Sequence, residues 1–193
     1  MFLATLTWVI VTSGTLALLY ILRCACTRAP KFNLNDLVHF LYPVDVSLLD
    51  SLLDPAADFS LRWSLNPRAF RREQRRRMRL YRELLRRMSH NSIILAEFGN
   101  ALFGEDEWPP LASELEGAVI KVRLYTGFAR LRLRLWLLLP LDSLGIVPTP
   151  QLARLRKAAD LDGPKAYDEL KIAAAAAFAQ LQPTELEALT RNL

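Results

Sequence analysis

Ten arginines fall within the twenty positions from 68 to 87: Arg68, Arg71, Arg72, Arg75, Arg76, Arg77, Arg79, Arg82, Arg86 and Arg87. A guanidinium is planar, permanently charged and carries its donors in a fixed fork, so it grips phosphate or carboxylate oxygens two at a time. Ten such groups wrap most of a helix, and anionic lipid headgroups, an acidic protein surface and nucleic acid all have the matching chemistry. An intramolecular role competes with these. Residues 32–61 hold five aspartates, Asp36, Asp45, Asp50, Asp54 and Asp58, and no Lys or Arg, so this block could neutralise the arginines that follow. Nucleic acid is disfavoured, because Phe70 and Tyr81 are the only rings in the stretch available for stacking on bases.

A second basic group, Lys121, Arg123, Arg130, Arg132 and Arg134, lies in a run without an acid from Val119 to Leu141. Were the two groups on one side, they would form a combined surface, with Trp136 and the neighbouring leucines seated at headgroup depth. The residues expected to meet an anionic lipid or an acidic partner are therefore Arg68, Arg71, Arg72, Arg75, Arg76, Arg79, Arg82 and Arg86, joined by Arg130, Arg132 and Arg134.

Catalytic chemistry has weaker support. His39 follows Asp36 by three positions and His90 follows Ser89, but a nucleophile needs a base and an oxyanion site fixed in space, which adjacency does not supply. Cys24 and Cys26, one residue apart, would close a strained ring, and neither histidine has metal-site spacing to them. The seven glycines form no phosphate-binding loop, and the acids Glu105, Asp106 and Glu107 read as a solvated turn. No cofactor and no metal is expected.

Topology speaks more clearly. Phe2 to Leu22 is 21 residues without a charge, which at about 1.5 Å per residue covers the roughly 30 Å hydrocarbon core of a bilayer. A cleaved signal peptide would want a basic start and small residues at a cleavage point, and Met1 alone precedes the apolar run. Arg23, Arg28 and Lys31 lie just after it, so an anchor with its N-terminus outside and the rest of the chain cytoplasmic is expected, in the inner or plasma membrane. Leu135 to Leu141 is apolar but too short to span, with Arg130, Arg132 and Arg134 before it and Asp142 after it.

The positioning elements follow from caps and periodicity. Residues 23–32 read as a Pro-containing link and 33–193 as a helical domain. Two short helices are expected over Asp36–Tyr42 and Val44–Leu53, separated by Pro43, with Pro55 closing the second. Asn66-Pro67 opens a long helix to about 103, in which Met78, Tyr81, Leu85, Met88, Ser92, Leu95, Gly99 and Leu102 recur at gaps of three and four, the seam of a helix pressed on a partner. Residues 104–110 read as a turn, and the capping box Ser113 to Glu116 opens a second long helix to about Leu139, stopped by Pro140. Leu131 to Leu135 alternates like a strand, but its surroundings have helical period. Further helices are expected from Thr149-Pro150, from Asp162-Gly163-Pro164 and from the capping box at Thr184.

The predicted class is thus all-α: one transmembrane helix, then a helical domain built on a long antiparallel hairpin. A content of 52% hydrophobic residues with only 7 Gly argues against disorder. The expected role is a non-enzymatic interaction or scaffold module beside the membrane. The alternative is a membrane-tethered enzyme acting on a lipid or other membrane-proximal substrate.

Overall fold

A computed structural model describes residues 39–103, 109–138, 152–158 and 160–181, together with Gly14, Thr15 and Leu19. These residues are all-α apart from one two-stranded hairpin. The helices are α1 (Val46–Leu52), α2 (Pro55–Ser64), α3 (Pro67–Phe103), α4 (Pro109–Leu138) and α5 (Gly163–Leu181). A 3-10 turn at Leu152–Leu155 and strands β1 (Lys157–Ala158) and β2 (Leu161–Asp162) separate α4 from α5.

Three helices start by the same means, a side-chain oxygen accepting from a first-turn amide that has no partner within the helix. Asp45 accepts from Leu48 N at 3.0 Å, Asp54 from Ala56 N at 2.9 Å and Asn66 from Ala69 N at 2.8 Å. Pro55 and Pro67 follow two of these caps, with their backbone angle preset for the first helical position. Pro55 therefore opens α2 where it was expected only to close the helix before it. The first short helix expected over Asp36–Tyr42 is also corrected in its described part: His39 and Phe40 make a 3-10 turn, and 41–45 are not helical. Pro43 disfavours helical backbone at Tyr42. In the stretch expected as the second helix, Val44, Leu49, Leu52 and Leu53 are buried, while Leu48 is exposed.

The long helices form the expected antiparallel hairpin. At one level the Tyr81 and Tyr125 hydroxyls meet at 2.8 Å, and further along α3 a Cβ on Gly99 would lie 3.6 Å from Leu115 Cδ2. Tyr81, Leu85, Met88, Ser92, Leu95 and Gly99 are buried along the seam and Met78 is partly buried. The start of α4 falls four residues before the expected cap at Ser113, because Pro109 and Pro110 occupy initial positions where a missing N–H loses nothing. Ser113 is an exposed residue inside the helix.

The α5 helix closes the core. Tyr167, Leu170, Ala174, Ala177 and Phe178 are buried, and the Phe178 ring lies 4.5 Å from that of Phe98 on α3. Gly163 is required where α5 begins, since a Cβ there would overlap the Tyr125 ring. Where a helix was expected after Thr149-Pro150, the described residues make the 3-10 turn and the hairpin. Lys157 pairs with Asp162 and Ala158 with Leu161, and the tight connection puts Asp160 at φ 60°, a left-handed conformation that aspartate tolerates.

The predicted transmembrane segment 2–22 lies outside the described residues except for Gly14, Thr15 and Leu19, which are helical. The link 23–32, the turn 104–108 and the helix expected from Thr184 also lie outside them. Among the described residues no helix is long and apolar enough to cross a membrane.

Candidate functional site: the basic face of α3

Successive helix residues are about 100° apart around the axis. On that wheel Arg68, Arg71, Arg72, Arg75, Arg76, Arg79, Arg82 and Arg86 fall within an arc of about 140°, and all eight are exposed. Arg77 points the opposite way and is buried. The arginines therefore do not wrap the helix, as their density suggested; they form one face, because the other carries the seam that packs on α4 and α5. Six of them, Arg68, Arg72, Arg75, Arg79, Arg82 and Arg86, follow one another at gaps of 4, 3, 4, 3 and 4. This makes a straight row about 27 Å long.

The four described aspartates of the block, Asp45, Asp50, Asp54 and Asp58, are engaged elsewhere and do not pair with this face. Asp58 is buried and pairs with Arg77, whose second guanidinium nitrogen donates to Leu52 O at 2.9 Å, while Gln74 Nε2 donates to Asp58 at 3.1 Å. Asp50 meets Arg156 at 2.8 Å. Asp54 caps α2. Asp45 caps α1, and hydrogen bonds from the Ser47 hydroxyl and the Leu48 amide hold its carboxyl below the usual range. Asp36 lies outside the described residues. The one carboxylate within the basic arc, Glu83, bonds to Arg87 at 3.3 Å, and Arg87 also donates to Pro43 O. Among the described residues none of the eight arginines makes an ion pair or a hydrogen bond through its side chain.

Their mutual spacing is unfavourable. Residues three and four apart on a helix are neighbours, with Cβ atoms about 5–6 Å apart. The eight arginines contain five such pairs four apart and four pairs three apart, every one a repulsive contact. No apolar side chain lies within the arc between Arg68 and Arg86. The face is a concentration of positive charge whose eight arginines have no ion-pair partner among the described residues.

The second basic group behaves differently. Arg130 donates to Leu85 O at 3.0 Å and is partly buried against α3, whereas Arg132, on another side of α4, donates to Arg154 O at 3.1 Å. Arg134 is exposed and Lys121 meets Glu169 at 2.7 Å. Arg130 is thus held against α3 and Arg132 against the 3-10 turn at Leu152–Leu155. The side chain of Trp136 lies outside the described residues.

Ser89 and His90 do not form a dyad, and Asp36, the acid that precedes His39, lies outside the described residues. His90 Nε2 lies 3.0 Å from Phe40 O with its ring against Tyr42, and Ser89 is buried with its carbonyl accepting from Ser92 Oγ. His39 is exposed. Among the described residues no three His, Cys, Asp or Glu side chains come together as a metal-binding group. An open groove of about 400 Å³ runs between α4 and α5, with Gly117, Ala118, Ala173 and Ala176 on its walls and the matched Lys121–Glu169 pair beside them. The buried phenols of Tyr81, Tyr125 and Tyr167 are structural: Tyr125 donates to Leu155 O, Tyr167 accepts from Asn91 Nδ2, and burial pushes all three well above the ordinary phenol range.

Sequence reading found the arginines by density but missed their phase, which a count of gaps would have revealed. It also missed Phe59 and Trp63, whose rings lie 5.9 Å apart on the exposed side of α2. No protein-family model, curated protein or solved structure matches the chain.

Proposed function

We propose that this chain is a non-enzymatic module anchored by residues 2–22, whose α3 face docks on the anionic cytoplasmic leaflet and orients the helical body as an interaction platform. One observation carries this reading: eight exposed arginines share a 140° arc with no partner among the described residues. A basic residue near an anionic membrane gains about 1 kcal/mol, so eight give on the order of 8 kcal/mol before screening and desolvation. A docking surface for a folded protein would need apolar anchors at its centre, and this arc has none. A bilayer of phosphates requires only charge. The uncharged run at 2–22 supports the anchor, and Arg23, Arg28 and Lys31 support its orientation.

The test uses the full chain with Cys24→Ser and Cys26→Ser in lipid nanodiscs, carrying a spin label at Glu83→Cys within the basic arc. Accessibility to a water-soluble relaxation agent should fall in anionic discs relative to zwitterionic ones and recover in about 1 M salt, where the screening length is about 3 Å. Equal accessibility in both lipids overturns the docking. Release of the native chain from membranes by carbonate overturns the anchor.

A further inference from the structure

The arrangement of the arginines points beyond generic attraction to a headgroup class, an inference that rests on the docking just proposed. Arg68, Arg71, Arg72 and Arg75 stand at i, i+3, i+4 and i+7, a diamond whose four sides are neighbouring pairs three or four residues apart. Arg72, Arg75, Arg76 and Arg79 form a second diamond with the same spacing, sharing Arg72 and Arg75 with the first. Towards the other end the pattern thins: Arg82, three after Arg79, and Arg86 complete no further diamond, and Glu83 and its partner Arg87 lie beside them. We infer that the two diamonds select lipids bearing a phosphomonoester over lipids whose phosphate is a singly charged diester.

The reason is electrostatic and geometric. An anion seated between guanidiniums relieves the repulsion of each pair it bridges, in proportion to its own charge. A phosphomonoester carries about −1.5 to −2 charges and three acceptor oxygens, so it receives forks from two or more arginines at once. A phosphodiester has one charge and two non-bridging oxygens. It satisfies one fork and leaves the neighbouring guanidinium uncompensated. A uniform strip of charge would respond only to the surface potential, whereas a diamond responds to how charge is packaged.

The test compares full-length protein in nanodiscs containing phosphatidate with discs containing phosphatidylserine, matched for surface potential and read by the Glu83→Cys label. At equal surface potential the ratio of wild-type docking on phosphatidate to that on phosphatidylserine should be roughly five, as expected if one or two additional charge-assisted bonds form. Arg72→Gln with Arg75→Gln, which breaks both diamonds, should bring the ratio to about one. Arg82→Gln with Arg86→Gln removes the same charge and should leave the ratio intact while weakening docking on both lipids. Equal docking of wild type on the two lipids, or equal loss of selectivity in the two double variants, overturns the inference and leaves anionic docking standing. Failure to dock on either lipid removes both.

Discussion

Replacing Arg75 by Gln should make the free protein more stable. Arg75 is exposed and has three like-charged neighbours on α3: Arg71 four residues before it, Arg72 three before it and Arg79 four after it. Each such contact on a helix surface costs about 0.2–0.5 kcal/mol, and Gln has nearly the helix propensity of Arg, so the gain is about 0.6–1.5 kcal/mol. The measurement is a urea titration of full-length wild type and variant in uncharged micelles, at about 0.05 M and about 1 M salt. The gain should shrink at high salt, where the screening length falls from over 10 Å to about 3 Å. The same variant should dock on anionic discs roughly fivefold more weakly, the equivalent of about 1 kcal/mol. Greater stability with weaker binding is the signature of residues placed for a ligand rather than for the fold. A loss of stability, or a gain indifferent to salt, would refute the reasoning, since Arg75 would then be making a contact that holds the protein together.

Other outcomes follow from the core. Asp58→Ala should cost about 3–5 kcal/mol by stranding the buried Arg77, and adding Arg77→Met should restore most of it, as judged by urea midpoints. Gly163→Ala should cost about 1–3 kcal/mol because its methyl group must displace the Tyr125 ring, and an unchanged midpoint would mean that α5 can shift freely there. The raised phenols of Tyr81, Tyr125 and Tyr167 contribute stability fully present below the unfolded value of about 10 and lost as pH rises through their folded values. Helical circular dichroism should therefore weaken above pH about 10, less steeply in Tyr167→Phe, and equal slopes in the two proteins would contradict this.

What could be read in the sequence was what local physics dictates. The seam from Met78 to Gly99, the cap at Asn66-Pro67 and the Asp162-Gly163-Pro164 helix start each involve neighbouring residues and appeared where expected. Asp54-Pro55 carried the same cap signal as Asn66-Pro67 but was read only as a stop, so α2 was missed. The hairpin at 157–162 depends on a left-handed Asp160 and on the packing of its surroundings, for which no periodic pattern exists. At the candidate site the eight α3 arginines could be named in advance, but not the fate of the aspartates. Whether Asp58 meets Arg77 or an outward arginine is a tertiary question, decided by α2 folding onto the inner side of α3. For the same reason Arg130 and Arg132 could not be separated by sequence alone, since their carbonyl partners, Leu85 and Arg154, lie 45 and 22 residues away.

The most direct measurement is arginine-selective dicarbonyl labelling of the full chain in nanodiscs, read residue by residue by mass spectrometry. Arg68, Arg71, Arg72, Arg75, Arg76, Arg79, Arg82 and Arg86 should react readily in zwitterionic discs and be protected in anionic ones, with exposed Arg62 on α2 reacting alike in both. Labelling of the eight that is indifferent to lipid charge, or protection that spreads equally to Arg62, would contradict a membrane-docked α3 face.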